Sequence, residues 1–378
     1  MAQRPRLIAL ALLAAAAATG CRAWKRRRPP ARRPPVHDVA TACYDPRFVT
    51  GQRIPQRLVG DHPAVSGTAG ARVFAWRTVT GVSAWWEGMA APVAVGDGAV
   101  VDGPTVAVQR GVAFVGWSDP RGAVLRTVAQ DAALGAPTRW DGATQATLAV
   151  AGDYALWVGR LGAGGPLASR SLDHGTARAF ADGGAGPAAA ALPDGFAVAW
   201  TERDGDASVL RGRILGLDGA PRSAAFEVQR AAGAMGAPSL ACGGRRLLFA
   251  WSDHRSGDAG LHAVATDLGG RGAGPAQRLS IRYTDASAAS VAPAGPGFGV
   301  AWSEPVAGAA PRSYLARLDA RGRRVGSAMR VAVEDDSGLE QPSLRWERGG
   351  FVLALARADG TLELRRTGPL GCDAPLGR

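Results

Sequence analysis

Lysine is almost missing from this chain of 378 residues: Lys25 stands alone among 44 basic side chains. Four cysteines, four tyrosines, four methionines and five histidines are equally sparse. The sequence holds no His-Glu-x-x-His zinc helix, no Cys-x-x-Cys pair, no Gly-x-x-x-x-Gly-Lys phosphate loop and no Gly-x-Ser-x-Gly nucleophile elbow. These gaps remove the motif-borne zinc hydrolases, dithiol oxidoreductases, P-loop nucleotide hydrolases and serine hydrolases. No cofactor and no metal is expected. Only His254 and His262 stand near each other, and two imidazoles alone do not complete a metal site. The Asp204-Gly205-Asp206 run lacks the remaining ligands of a calcium loop and reads as a turn.

The ends carry targeting features. Arg4 and Arg6 precede an apolar stretch, Leu7 to Ala18, which is short for a bilayer span and reads as an export signal covering residues 1–20. It ends in Ala18-Thr19-Gly20-Cys21, which resembles a bacterial lipobox with Cys21 as the lipid-attachment residue; a plain cleaved signal is the alternative. The arginines that follow oppose easy export, because positive charge tends to stay on the cytoplasmic side. Residues 21–54 are rich in arginine and proline. Their most Pro/Arg-rich part, residues 22 to about 42, cannot bury enough apolar surface to fold and forms an extended tether, reaching roughly 60 Å at ~3.1 Å per residue. Residues 1–38 supply +8 of the formal charge of +12, so the basic character belongs to the tether. The expected contact is anionic lipid or envelope polymer, with no nucleic-acid partner.

Seven apolar runs define the remainder. Six end in tryptophan: Val73 to Trp76, Phe114 to Trp117, Tyr154 to Trp157, Phe196 to Trp200, Leu248 to Trp251 and Phe298 to Trp302. The seventh, Phe351 to Leu355, lacks it. The spacing of about 40 to 53 residues is that of a radial β-repeat. Each unit reads as four short strands; one runs Pro238-Ser239-Leu240-Ala241, a Gly243-Gly244 turn, Leu247 to Trp251, Leu261 to Thr266, a turn at Asp267 to Gly270, and Gln277 to Ser280. Period-two alternation puts Phe196, Val198 and Trp200 on one face and Ala197 and Ala199 on the other. Both faces are apolar, as in a strand wedged between neighbouring sheets. The expected fold is therefore all-β, a seven-bladed β-propeller over residues 55–367, with a tail at 368–378.

The last repeat lacks a fourth strand, and Pro55-Gln56-Arg57-Leu58-Val59 resembles the missing segment. An N-terminal strand there would complete the last blade and close the ring, hiding its edge. Closure would also bring Cys43 and Cys372 together as a possible disulfide, leaving Cys242 free.

The repeat Pro-Ser-Leu-Ala, Gly-Gly, Ala-Trp-Ser-Asp-x-Arg, Leu-Asp-x-x-Gly resembles secreted bacterial β-propeller proteins of lipoprotein type, mostly without an assigned role. The resemblance is good in repeats five to seven and degrades in repeats one to three. It implies the fold and an exported, envelope-anchored location, and it transfers no catalytic residue.

Four repeats place an acid two residues after the tryptophan: Asp119, Glu202, Asp253 and Glu304. With His254 and Arg255 they form the candidate binding face, at turns after the second strands. The competing reading is turn chemistry, with Arg121, Arg203 or Arg255 pairing with its own acid. Thr78, Gly159 and Arg357 interrupt the series. Ser171-Leu172-Asp173-His174-Gly175-Thr176 resembles part of a sialidase aspartate box, but Asp218, Asp267 and Asp319 occupy the same slot, which marks it as a generic turn. The expected function is a non-enzymatic scaffold for an envelope protein or glycan; the alternative is an extracellular carbohydrate-active hydrolase or lyase using the central channel. A channel with clustered carboxylates, arginines and a tyrosine would favour the enzyme, and a small or plainly polar lining the scaffold.

Overall fold

The computed structural model describes residues 48–53, 61–68, 70–172, 175–254, 260–280, 287–306, 309–331, 339–347, 349–357 and 360–367. The export signal, Cys21, the basic tether, Cys43, Arg255, Cys372 and the C-terminal tail lie outside them. Seven antiparallel four-stranded sheets follow one another along the chain. Their first strands are Asp61–Thr68, Asp102–Gln109, Ala143–Ala151, Ala185–Leu192, Ser239–Gly243, Ser287–Ala294 and Leu339–Glu347. Each first strand neighbours the next, and that of blade seven meets that of blade one, so the blades form a closed ring around an axial channel. The fold is a seven-bladed β-propeller.

The tryptophan-terminated runs are the second strands: Ala71–Thr78, Val112–Asp119, Tyr154–Leu161, Gly195–Asp204, Arg246–Asp253, Gly297–Val306 and Gly350–Arg357. Their alternation sets a single direction of packing. Phe249 and Trp251 of blade five pack on Ala197 and Ala199 of blade four. Phe298, Val300 and Trp302 of blade six pack on Leu248 and Ala250 of blade five. Phe351, Leu353 and Leu355 pack on Ala301 of blade six, and a Cβ on Gly299 would fall 2.2 Å from the Phe351 ring. Phe74 and Trp76 close the circle on Val352, Ala354 and Ala356 of blade seven. Blades two and three depart from the expected pattern. There Phe114 lies on the face opposite Trp117 and packs towards blade three, while the tryptophans keep the common direction: Trp117 meets Val73 and Ala75, and Trp157 meets Ala123 and Leu125.

Ring closure uses an N-terminal strand, as expected, but a different segment. Phe48–Arg53 pairs antiparallel with Leu362–Thr367, Phe48 opposite Thr367 and Arg53 opposite Glu363. The sheet order therefore runs through three strands of the last repeat to this one. Pro55 to Val59 lie outside the described residues. The likeness to Gln277-Arg278-Leu279-Ser280 misplaced the strand because only Gln277–Arg278 of that segment pairs in blade five; two paired residues give little pattern to match. Phe48-Val49-Thr50, by contrast, is a run of strong strand formers.

Trp251 is completely buried. Trp251→Ala removes the largest side chain from the interface of blades four and five and should cost about 3–5 kcal/mol. The measurement is chemical denaturation, expected to show an earlier midpoint; a curve matching wild type would remove Trp251 from the inter-blade core.

Candidate functional site

The first strands share a detour. Register slips by one residue between Asp61 and Ala64, Asp102 and Thr105, Thr144 and Thr147, Ala185 and Ala188, Ser287 and Ser290, and Glu340 and Ser343. A bulge at this place turns each strand start into the channel mouth. Pro63, Pro104, Pro187, Pro238 and Pro342 follow or end the detour and line the channel. Proline suits this inner edge because it has no N–H to leave unpaired. The next residue links the blades. Ser343 Oγ accepts from the Val65 N–H at 3.1 Å, Ser290 Oγ accepts from the Leu344 N–H at 3.0 Å, and the Ser239 hydroxyl donates to the Ala289 carbonyl. The Pro-Ser-Leu motif of the sequence is thus a channel-lining and blade-linking device.

The channel encloses a cavity of about 530 Å³. Apart from His62 and Asp102, its lining consists of proline, alanine, serine, threonine, glycine, valine and leucine. Both exceptions stand at the mouth, in blades one and two. His62 adopts φ 50°, a left-handed conformation that costs energy for a side chain with a Cβ. A Cβ on Gly103 of the next blade would fall 2.8 Å from the His62 Cβ, so glycine at 103 makes room for the imidazole. Asp61 lies beside it, with His62 Nδ1 3.2 Å from Oδ1. Arg77 donates to both Asp61 oxygens, from Nε at 2.7 Å and Nη2 at 2.5 Å. That guanidinium holds the Asp61 carboxyl below the usual carboxylate range. Asp102 is shifted the other way: although solvent reaches part of it, protein crowds the concave mouth, and desolvation pushes its carboxyl up against the opposing pull of the Gly103 N–H, His62 and Arg77. Two carboxylates with opposite shifts and an imidazole therefore share one mouth. Val79 and Val101 stand exposed beside them.

The acids expected to form a binding ring end their strands at this same end, but packing and turns absorb them. Asp119 accepts from the Arg121 and Gly122 N–H groups at 2.8 and 3.1 Å and from the Arg139 guanidinium at 2.8 and 3.0 Å. Arg139 depresses its carboxyl. Glu202 accepts from the Trp200 indole at 2.9 Å and from Arg211 at 2.7 Å. Glu304 is buried and accepts from the Trp302 indole at 2.8 Å. Asp253 is buried beside the ring contact of Trp251 with His262, and His254 is exposed. The expected pairing with Arg121 or Arg203 gives way to Arg139 and Arg211. Consecutive strand residues point to opposite faces, whereas residues on neighbouring strands stand side by side; Arg211 lies opposite Trp200.

The turn reading of the aspartate-box likeness holds where it is described. Asp218 accepts from the Ala220 N–H, and Asp267 and Asp319 each cap two N–H groups in the turn between third and fourth strands. Asp173 and His174 lie outside the described residues. Asp204, of the suspected calcium loop, pairs with Arg230. Among the described residues no group of three or more His, Cys, Asp or Glu side chains could hold a metal. Sequence reasoning missed Asp61, His62, Arg77 and Asp102. Their signal was present: Asp61-His62-Pro63-Ala64 occupies the slot that reads Ala185-Gly186-Pro187-Ala188 in blade four.

No family model and no curated protein matches the chain. Among solved structures it is similar to a prolyl endopeptidase, with 13% identity, TM-score 0.52, and coverage of 88% of this chain and 49% of the other. It is similar to the β-propeller domain of Cps50 (Swd1) from Myceliophteria thermophila, with 13% identity, TM-score 0.51, and coverage of 83% and 98%. A puromycin-hydrolysing peptidase of Mycobacterium tuberculosis matches with 13% identity, TM-score 0.50, and coverage of 85% and 55%. The chain spans about half the length of these two peptidases. At this identity the likeness is one of fold.

Asp102→Asn tests the electrostatics of the mouth. A carboxyl held above its ordinary value of 3.8 weakens the folded state at neutral pH, and the penalty fades as pH falls towards that value, where both states are protonated. The variant keeps the oxygen that accepts from Gly103. It should therefore melt above wild type at neutral pH, and the two curves should converge by about pH 3. A gap that is constant across this range would contradict the desolvation of Asp102.

Proposed function

We propose that the chain is a non-enzymatic envelope lipoprotein whose propeller presents its channel-mouth end to an envelope protein or glycan. One observation carries this reading: the channel lining is small and apolar or weakly polar, with two titratable side chains and no converging arginine or tyrosine among its described residues. Rings of proline, alanine and serine give rigidity and shape but no means of moving protons along a substrate. The exposed Val79 and Val101 beside the charged Asp61–Arg77 pair supply an apolar contact with a polar rim. Export, lipid attachment at Cys21 and the basic tether complete the proposal: the tether holds the propeller off an anionic surface, with the membrane as one partner and the unknown protein or glycan as the other. The anchor places it at the outer membrane, facing periplasm or cell surface.

His62 with two nearby carboxylates favours the second reading, a carbohydrate-active hydrolase or lyase with its site at the mouth. Envelope extracts separate the two. The anchored protein should capture a partner or glycan that a Val79→Asp, Val101→Asp variant fails to capture, while released sugar ends stay at background. Sugar release that disappears in His62→Ala would establish the enzyme instead.

A further inference from the structure

The end of the propeller away from the channel mouth carries a groove of about 370 Å³ between blades five and six. Ala263 and Val264 of the third strand of blade five, Gly260–Asp267, form its floor. The loop following that strand makes one wall, and the turn Asp319 to Arg323 of blade six makes the other. Arg246, Arg321 and Arg323 all enter it. Arg246 uses its Nε–H to hold the Ala320 carbonyl at 3.2 Å, which leaves its terminal nitrogens for the groove. The exposed Arg321 guanidinium has no partner among the described residues.

The nearby carboxylates are already occupied. Asp267 caps its own turn through the Gly269 and Arg271 N–H groups at 2.9 and 2.7 Å. Asp319 caps the Arg321 and Arg323 N–H groups, both at 2.9 Å, and pairs with the Arg323 side chain at 2.8 Å. Arg245, Arg271 and Arg324, chain neighbours of the lining residues Arg246, Gly272 and Arg323, are exposed and add positive charge. Gln277 is tied down as well, its Oε1 accepting from the Arg324 N–H at 3.0 Å. Six arginines against the two carboxylates Asp267 and Asp319 leave the groove and its surroundings a net positive field. Its donors are planar guanidiniums, which match the paired oxygens of carboxylate, phosphate and sulfate groups.

We propose that this groove binds an oxyanion-bearing ligand of sugar-acid or sugar-phosphate size, gripped by Arg246 and Arg321. The volume lies in the range of small-ligand sites, roughly 300–1,000 Å³, and exceeds what a bare ion needs. The inference is independent of the channel-mouth reading, since it concerns the opposite end and other residues.

Calorimetric titration of the full chain in non-ionic detergent tests it, with glucuronate, glucose 6-phosphate and inorganic phosphate as probes. Glucuronate or glucose 6-phosphate should bind saturably, and Arg246→Gln with Arg321→Gln should weaken that binding roughly ten-fold or more. Arg321→Glu alone, at an exposed turn that leaves the core intact, should show the same loss. The basic tether is present in every variant, so the difference belongs to the groove; Arg203→Gln, at a distant exposed turn, should bind as wild type. Equal binding by wild type and the double variant would overturn the proposal. So would the lack of saturable heat for either sugar probe up to about 10 mM. Inorganic phosphate binding as tightly as the sugar probes would overturn the assignment of a sugar-borne group.

Discussion

In blades one and four to seven the bulkier face of the second strand rests on the smaller face of the blade before it, and in blades two and three the tryptophan keeps that direction. The rest of the molecule depends on that asymmetry. A strand with bulky groups on both faces would hold its neighbours too far apart to contact near the axis. One with small groups on both would leave voids, and voids weaken a core in proportion to their volume. Alternating Phe-Ala-Val-Ala-Trp satisfies both limits, because period two separates the sizes onto opposite faces. The arrangement also has a direction. Seven interfaces with the same sense can be joined into a ring without a mismatched pair of faces, and Phe74 and Trp76 meeting Val352 and Ala354 is the step that completes it.

That final interface is the one that chain connectivity does not help to form, and it carries extra polar specification. Arg72 is almost wholly buried, its Nε 3.0 Å from both Glu347 oxygens and its Nη1 2.8 Å from Glu87. Buried ion pairs contribute little net stability, since desolvation offsets attraction, but a mispaired seam would leave a charge buried alone. The network therefore favours one register of blade seven against blade one. The Val65 N–H to Ser343 bond acts at the same seam, and the N-terminal strand on Leu362–Thr367 covers the outer edge. Hydrophobic fit brings the ends together; polar contacts decide how they meet.

Much of this was legible because the repeat imposes the same packing problem seven times. The tryptophans, the channel-lining prolines and the aspartates before the fourth strands each recur in several blades for a reason that one blade displays. Single events were harder to read. The closing strand lies outside the repeats in sequence, and Pro55 to Val59 resembles the segment of the one fourth strand that pairs over only two residues, Gln277–Arg278. The acids stand at or near the ends of their second strands, but Asp119 and Glu202 do not pair with the arginines nearest in sequence. Sequence adjacency is a poor guide to contact in a strand: Glu202 reaches Arg211 across the sheet and the Trp200 indole along its own face. Glutamate spans that second gap where aspartate is a methylene shorter. The Trp251 indole N–H, followed two residues on by Asp253, correspondingly has no acceptor among the described residues.

What breaks the repeat is more informative about function than what obeys it. Agreement among strand pattern, turn chemistry and packing is what a stable ring requires, so a residue that violates a local rule needs another justification. His62 occupies a left-handed backbone position where blade four uses Gly186, at φ 58°, and it stands over a glycine in the neighbouring blade. Replacing it by glycine would relieve the backbone strain, so histidine stands there against a conformational cost. Asp102, which caps the Gly103 N–H, is held in a mouth that disfavours its charge. Both belong to the early blades where the sequence departs furthest from the common motif. The regular blades supply rigidity, and the irregular ones supply the chemistry that distinguishes one end of the channel.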